Sequence, residues 1–232
     1  MPSNLNSFDR SFLPEEPIHP QGAEFLERVT GMLDGQLKDP VAVEAALGEW
    51  DGLLEKIAGE LYRISSMLIG EGEESVRLIE QVVATVDLPA CHDPVEARHN
   101  SRLALAGLAV AQLAELDGSV LAAPAEDGSG PVGCIEDDDL DAVGVSRAEF
   151  EQMMNGPDSH RLRDWLEGLS VQLRVVFVLR AVAAMTSPEV AGLLAENGGT
   201  AARGWTPDAV RSSFRQALCS LASQLIHATA TR

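Results

Sequence analysis

The sequence predicts an all-α fold made of two helical domains with an acidic linker between them. Apolar residues recur at three- and four-residue spacing over most of the chain, which is the period of one buried helix face. Two of these stretches begin with a hydroxyl residue, a proline and a carboxylate, which is typical of helix N-termini. Residues 118–145 contain seven acidic residues and neither lysine nor arginine, so we expect this segment to be solvated and extended.

The charged residues are also distributed unevenly between the two predicted domains. The 232 residues carry a formal net charge of −19, but residues 160–232 hold 8 Lys and Arg against 5 Asp and Glu. The part before residue 160 holds the other 9 basic and 31 acidic residues. Such an acidic surface repels a polyanion, so only the C-terminal part is a candidate for contact with nucleic acid.

The N-terminal half is predicted to be an arm followed by a helical domain. Residues 1–22 are polar and punctuated by proline, and we expect an extended arm. Residues 23–117 form the helical domain, with its main helices over residues 40–68, 73–86 and 95–116. The last of these is apolar nearly all round between Leu103 and Ala114, so it must be covered on most sides.

The acidic linker is predicted to span residues 118–157 and to be flexible, with one short helix. Ser146 and Glu149 have the spacing of a capping box, in which each side chain accepts the other residue's backbone N–H. The short helix should therefore begin directly after Ser146.

The second domain, residues 158–232, is predicted to contain three consecutive helices. The first is the apolar run Leu169–Arg180. The next two start at Ser187-Pro188-Glu189 and at Thr206-Pro207-Asp208. Each start has a hydroxyl at the N-cap, a proline at the first helical position and a carboxylate at the second. Three helices in this order are what a helix-turn-helix requires, and the last would carry Arg211 and Arg215 into a major groove.

No pattern in the chain is typical of an enzyme, a cofactor site or a metal site. The sequence lacks a Gly-rich phosphate loop, a nucleophile elbow and a His-Asp-Ser grouping. Cys91 and His92 with His99 are too few ligands for a zinc site. We therefore expect no catalytic residues, no cofactor and no metal.

The cysteines and the hydropathy bear on the compartment. Cys91, Cys134 and Cys219 are scattered and odd in number, so the sequence suggests no disulfide, and a reducing cytoplasm is expected. The most apolar run, residues 103–111, is too short to span a membrane. We expect no membrane contact.

Three strings follow one another in the second domain: Leu162 to Leu169, Leu173 to Arg180 and Thr186 to Leu194. They resemble region four of bacterial sigma factors of the sigma-70 class, in particular the small two-domain, extracytoplasmic-function type. The closing helix of that family carries a T-V-K-S-R-L-x-R-A pattern, and here residues 209–217 occupy it. Upstream, residues 61–70 and 78–83 are similar to region two. The resemblance covers about residues 41–117 and 158–228.

The resemblance implies a transcription initiation factor that binds core RNA polymerase and promoter DNA. In the family, region two docks on the polymerase clamp. The residues at that position here are Leu78, Ile79, Glu80, Gln81 and Val82. In the family, region four reads the promoter −35 element. The residues implied for DNA contact here are Arg203, Thr206, Arg211, Ser212, Ser213 and Arg215.

The chain also departs from the family, which favours a divergent or degenerate member. The family opens promoter DNA with aromatic and basic residues of region two, but this chain has no aromatic residue between Tyr62 and Phe150. Residues 41–117 hold 5 Lys and Arg against 14 Asp and Glu, and residues 196–204 lengthen the helix-turn-helix turn. An alternative hypothesis is therefore a sigma mimic that binds a protein, for example an anti-sigma protein, without melting DNA.

The acidic run Glu136–Asp139 also allows two interpretations. The first is a solvated linker. The second is a segment that lies over the last helix and competes with DNA by imitating its phosphates.

Overall fold

A computed structural model describes residues 40–85, 93–124, 134–157 and 159–230, with side chains described between Leu54 and His227 within these ranges. These residues form eight α-helices and no strand, so the predicted all-α class is confirmed. The helices are α1 (Pro40–Ile69), α2 (Glu73–Thr85), α3 (Pro94–Leu116), α4 (Arg147–Asn155), α5 (Ser159–Glu167), α6 (Val171–Phe177), α7 (Ser187–Asn197) and α8 (Pro207–Ala230). A π-helix, Val178–Val182, continues α6, and short 3-10 helices span Leu140–Val143 and Thr200–Gly204.

α1 and α2 begin at the predicted residues, and α3 begins one residue before its predicted start. α1 starts at Pro40 and ends at Ile69, and two glycines with positive φ, Gly70 at 102° and Gly72 at 141°, separate it from α2. Asp93 caps α3, because its side chain accepts from the Val95 N–H at 2.9 Å. The predicted arm over residues 1–22 lies outside the described residues, as do Cys91 and His92.

The chain divides into two compact units, Met1–Gly52 and Leu53–Arg232. In the first, the described residues 40–52 are helical. The second takes in helices from both predicted domains. Within it α3 contacts α7, α7 contacts α8, and α6 contacts α8.

The core of the second unit contains the apolar helix α3. Leu105, Ala106, Ala109 and Val110 of this helix are fully buried, so the prediction that it must be covered is confirmed. α2 covers one side of it and α7 another. Among the described residues, neither α3 nor any other helix is long and apolar enough to cross a bilayer.

The N-terminus of α7 differs from its prediction by one residue. The N-cap is Thr186 rather than Ser187, which is buried. The Thr186 hydroxyl accepts from the Glu189 N–H, and the Glu189 carboxylate accepts from the Thr186 N–H and hydroxyl, both at 2.7 Å. This capping box satisfies two backbone donors, whereas a cap at Ser187 would place the carboxylate one residue too early to reach back.

Removing this cap is expected to destabilise the protein modestly and in a pH-dependent way. The Thr186 hydrogen bonds, and then the neighbouring His99, lower the pKa of Glu189 below its ordinary value of 4.5. Stabilisation by a carboxyl with a depressed folded pKa is complete above its unfolded pKa and is lost as pH falls through the folded pKa. Thr186→Ala should therefore cost about 1 kcal/mol at neutral pH and less in acid.

Urea unfolding at a series of pH values measures this loss, and Glu196→Gln, at an exposed carboxylate in the same helix, is the matched control. A loss that stays constant down to pH values below the folded pKa would contradict the role given to Glu189.

The prediction of an extended linker is wrong for the part that the structure describes. Residues 134–145 pack against the C-terminal helices, with Leu140 and Val145 buried, and the 3-10 helix Leu140–Val143 contacts α8. The expectation of no disulfide is also wrong, because Cys134 and Cys219 are bonded, with Cα atoms 5.9 Å apart. The two cysteines are 85 residues apart in sequence, so only the tertiary packing brings them together.

Candidate nucleic-acid interface

Helices α4, α5 and α8 meet α6 at one aromatic side chain, Phe177 of α6. Its ring lies 4.8 Å from Trp165 and 5.8 Å from Phe150, both edge-to-face, and 5.8 Å from Phe214 of α8. The Trp165 indole N–H donates to the Ser220 hydroxyl at 3.0 Å. These contacts fix the inner face of α8 on the core.

The lengthened turn between α7 and α8 is ordered. Gly198 and Gly199 open it: a Cβ at Gly198 would lie 2.6 Å from the Leu194 carbonyl oxygen, and Gly199 has a φ of 76°. The 3-10 helix Thr200–Gly204 follows, and its Ala201 carbonyl accepts from the Ala123 N–H at 3.1 Å. The turn is therefore attached to the segment that follows α3.

Trp205 completes this attachment. Its side chain is buried, and its indole N–H donates to the Leu121 carbonyl at 2.8 Å. The residue is part of the interior and presents no ring on which a base could stack. Thr206 then caps α8 by accepting from the Ala209 N–H at 3.1 Å.

The residues implied for DNA contact differ in exposure. Arg203 and Ser212 are exposed, and Thr206, Arg211 and Arg215 are half-buried. Ser213 is 7% exposed and faces the core, so it is the least accessible of the six. Arg211 pairs with Asp208 of the same helix.

Arg211, Arg215 and Cys219 form one stripe on the outer face of α8, because residues four apart lie above one another on a helix. We call these three residues the outer stripe. Their register brings two guanidinium groups to the face that would approach a nucleic acid.

The acidic segment Cys134–Asp139 lies along the outer stripe. The Arg215 guanidinium donates to the Glu136 carbonyl oxygen at 3.1 Å, and Cys134 is bonded to Cys219 one turn further on. Beyond these contacts, Asp138 forms an ion pair with Arg180 at 3.3 Å. The sequence-based alternative that this acidic run lies over the last helix matches this arrangement.

Arg180 joins the segment to the core of the three helices. Its guanidinium donates to the Met185 carbonyl at 2.8 Å and lies 5.2 Å from the centre of the Phe214 ring. From the sequence, Arg180 is only the last residue of the apolar run Leu169–Arg180.

The residues implied for polymerase contact lie in α2 and divide between core and surface. Leu78 and Val82 are 4% and 1% exposed, and both belong to the core. Ile79 is half-buried, and Glu80 and Gln81 are exposed. The side chains available to a partner are therefore those of Ile79, Glu80 and Gln81.

Apolar side chains that the sequence analysis missed lie on the same surface. Val76 and Val83 of α2 are 45% and 59% exposed, and Tyr62 of α1 is 40% exposed. Tyr62 and Val76 line a shallow depression together with Glu80. We call Tyr62, Val76, Glu80 and Val83 the α2 face.

Two arginines of α3 contact α1, and one of them also contacts the chain just after the π-helix that continues α6. Glu60 of α1 pairs with Arg102 at 2.7 Å and with Arg98 at 3.5 Å. Arg102 also donates to the Ala183 carbonyl at 3.4 Å, just beyond the π-helix. The signal in the sequence was two arginines four residues apart in the polar first half of α3.

Within the described ranges, no three His, Cys, Asp or Glu side chains are grouped so that they could hold a metal ion. His99 Nε2 lies 3.1 Å from the Glu189 carboxylate.

Comparison of the chain with protein-family models, with curated proteins and with solved structures finds no match in any of the three.

Proposed function

We propose that the chain is a sigma-factor-like transcription initiation protein of the cytoplasm, without catalytic activity or a cofactor, which binds core RNA polymerase and contacts promoter DNA through α8. The observation that carries the proposal is the pair Arg211 and Arg215, one turn apart on the outward face of the last of three packed helices. A region-two-like bundle and a region-four-like helix-turn-helix are the corresponding assignments for the two halves.

For DNA contact, the proposal rests on the N-terminal half of α8. A major groove admits one α-helix, and arginine side chains four residues apart can reach neighbouring base edges or phosphates. Arg211 and Arg215 supply these side chains, and Ser212 between them is exposed. Arg203, exposed in the preceding 3-10 helix, is available for a phosphate.

For polymerase contact, the proposal rests on α2. Ile79, Glu80 and Gln81 keep the role implied by the resemblance, and Val76 and Val83 add exposed apolar surface beside them. An apolar centre with a polar rim is the usual composition of a protein-binding surface. Leu78 and Val82 contribute by holding α2 on the core.

A second candidate function is a sigma mimic that binds a regulatory protein such as an anti-sigma protein. Two observations favour it: the acidic segment covers Arg215, and the only described aromatic side chain on the α2 face is Tyr62. In this case the α2 face would serve the partner, and promoter DNA would not be opened.

The salt dependence of DNA binding distinguishes the two functions. The affinity of the full chain for duplex DNA, measured by fluorescence anisotropy with and without a thiol reductant, should fall steeply as salt is added. Arg211→Ala combined with Arg215→Ala should reduce the slope of log K against log salt by about 2, since each phosphate contact contributes about 0.9.

Arg77→Ala is the matched control, because it also removes an exposed positive charge, but from α2. Its slope should equal that of the parent. Absence of DNA affinity at low salt in both redox states would refute the DNA-binding function and leave the mimic as the better proposal.

A further inference from the structure

We propose that the acidic segment Cys134–Asp139 is a redox-controlled latch, which masks the outer stripe of α8 while the Cys134–Cys219 disulfide is closed and exposes it when the disulfide is reduced. The inference rests on the proposed function, because it assigns a regulation to the same DNA-contact face. It makes the thiol state of this pair the signal that controls DNA binding.

The first argument is positional. The segment is bonded at Cys219 and hydrogen-bonded at Arg215, so it follows two of the three residues of the outer stripe. The Glu136 carbonyl engages one guanidinium nitrogen of Arg215, so DNA would have to compete with the segment for this side chain. The covered residue is therefore one of the two arginines on which the proposed DNA contact depends.

The second argument is electrostatic. Glu136, Asp137, Asp138 and Asp139 place four carboxyl groups next to the helix that would meet phosphates. Like charges repel, so an approaching polyanion would be disfavoured even at positions that the segment does not touch.

The third argument concerns what holds the segment. Arg215 donates a single exposed hydrogen bond to it, and Arg180 contacts the Asp138 carbonyl oxygen at 3.4 Å and the Asp138 carboxylate, which is 36% exposed, at 3.3 Å. Ile135 is only partly buried against the core. Contacts of this kind are weak in water. The disulfide closes a loop that holds the segment beside α8 and so raises the effective concentration of these contacts, and its loss should release the segment.

The released part has a defined end. Leu140 is 6% exposed and packs in the core, and the 3-10 helix that it begins contacts α8. Reduction should free the residues before Leu140 and leave Leu140–Val143 in place as the hinge.

The disulfide is accessible to a reductant. Cys134 is exposed and Cys219 is half-buried, so a dithiol of the kind that keeps cytoplasmic thiols reduced can reach the Cys134 sulfur. Its thiolate attacks that sulfur, the bond between the two cysteines breaks, and the second thiol of the dithiol then closes its own disulfide. Two electrons and two protons pass to the protein, which leaves two thiols. In the cytoplasm, disulfides are usually transient or redox-sensing, which agrees with this role.

The test compares the oxidised and the reduced full chain for affinity toward duplex DNA at one salt concentration. The oxidised chain should bind about tenfold more weakly, a factor within the range of one arginine contact to a base. Cys134→Ser should bind like the reduced chain with or without dithiothreitol. Cys91→Ser is the matched control, because it removes the third cysteine and should keep the full redox response.

A second variant guards against a folding defect in Cys134→Ser. Combined Asp137→Asn, Asp138→Asn and Asp139→Asn substitutions leave the disulfide intact and should raise the affinity of the oxidised chain several-fold. Cleavage by a protease specific for acidic residues should also become faster at residues 136–139 on reduction, a readout that needs no DNA.

The outcomes distinguish failure of the latch from failure of the proposed function. Equal DNA affinity of the oxidised and reduced chains, with binding that still depends on Arg211 and Arg215, would overturn the latch and leave the proposed function standing. Unchanged protease cleavage on reduction would also overturn the latch. No DNA binding by any form would overturn the proposed function, and the latch with it.

Discussion

Phe177→Ala is expected to lower the free energy of unfolding by about 3–5 kcal/mol, the usual range for removing a buried phenylalanine. Phe177 is fully buried and its ring contacts rings from three other helices, so truncation leaves a cavity at the point where they meet. Because small proteins are stable by only about 5–15 kcal/mol, this change removes a large fraction of the total. Urea unfolding followed by circular dichroism measures it.

Phe177→Leu is the matched comparison for this variant. It keeps most of the apolar volume and loses the edge-to-face contacts, so it should cost much less than Phe177→Ala. Equal losses in the free energy of unfolding for the two variants would mean that the ring contacts, rather than the filled volume, account for the stabilisation by Phe177. A loss below about 1 kcal/mol for Phe177→Ala would contradict the central position of this residue.

The same substitution at two adjacent valines in α2 is expected to change stability by very different amounts. Val82→Asp should destabilise the protein by about 3–5 kcal/mol, because Val82 is 1% exposed and a carboxylate there has no partner. Val83→Asp should change stability by less than about 0.5 kcal/mol, because Val83 is 59% exposed. Thermal unfolding of both variants measures the difference.

The same pair tests polymerase binding without confusing it with unfolding. If the α2 face docks on core RNA polymerase, Val83→Asp should reduce co-purification with the polymerase while the protein stays folded. Loss of co-purification in Val82→Asp alone would reflect the damaged core. Undiminished co-purification of Val83→Asp, with a second substitution at Val76, would place the polymerase contact elsewhere on the chain.

Features set by neighbouring residues were predictable from the sequence. The start of α8 at Thr206-Pro207 and the capping box at Ser146 depend on side chains within three residues of the backbone groups that they satisfy. α1 begins at Pro40 and ends before Gly70, and α3 begins at Pro94 after its N-cap Asp93. Proline, glycine and aspartate therefore mark these boundaries in the sequence. The one-residue shift at Thr186 arose because two hydroxyl residues are adjacent there, and only the position of Glu189 distinguishes them.

The exposure of α2 was also open to prediction. Ser75, Leu78 and Val82 recur at three- and four-residue spacing and are all buried, which is the pattern of a core-facing stripe. The resemblance to a polymerase-docking helix assigned Leu78 and Val82 to the surface, and the periodicity indicated the interior. The spacing of apolar residues indicates burial directly. The position of a residue in a family pattern indicates its burial only if this chain packs in the same way as the family.

The position of the acidic segment could not be derived from the sequence. Composition predicts that residues 134–139 are solvated, and their carboxylates are indeed mostly exposed. Their attachment depends on Cys134, Leu140 and Arg180 meeting partners that are distant in sequence. Contacts of this range leave no local pattern.

The hydrogen bond from Trp205 to Leu121 has a consequence for the evolution of the protein. It makes the orientation of the last helix depend on the path of the segment that follows α3. Because the acceptor is a backbone carbonyl, substitutions at residue 121 leave the bond intact, whereas an insertion or deletion that moves this backbone would strand an indole donor in the interior, so the length of this segment should be under selection.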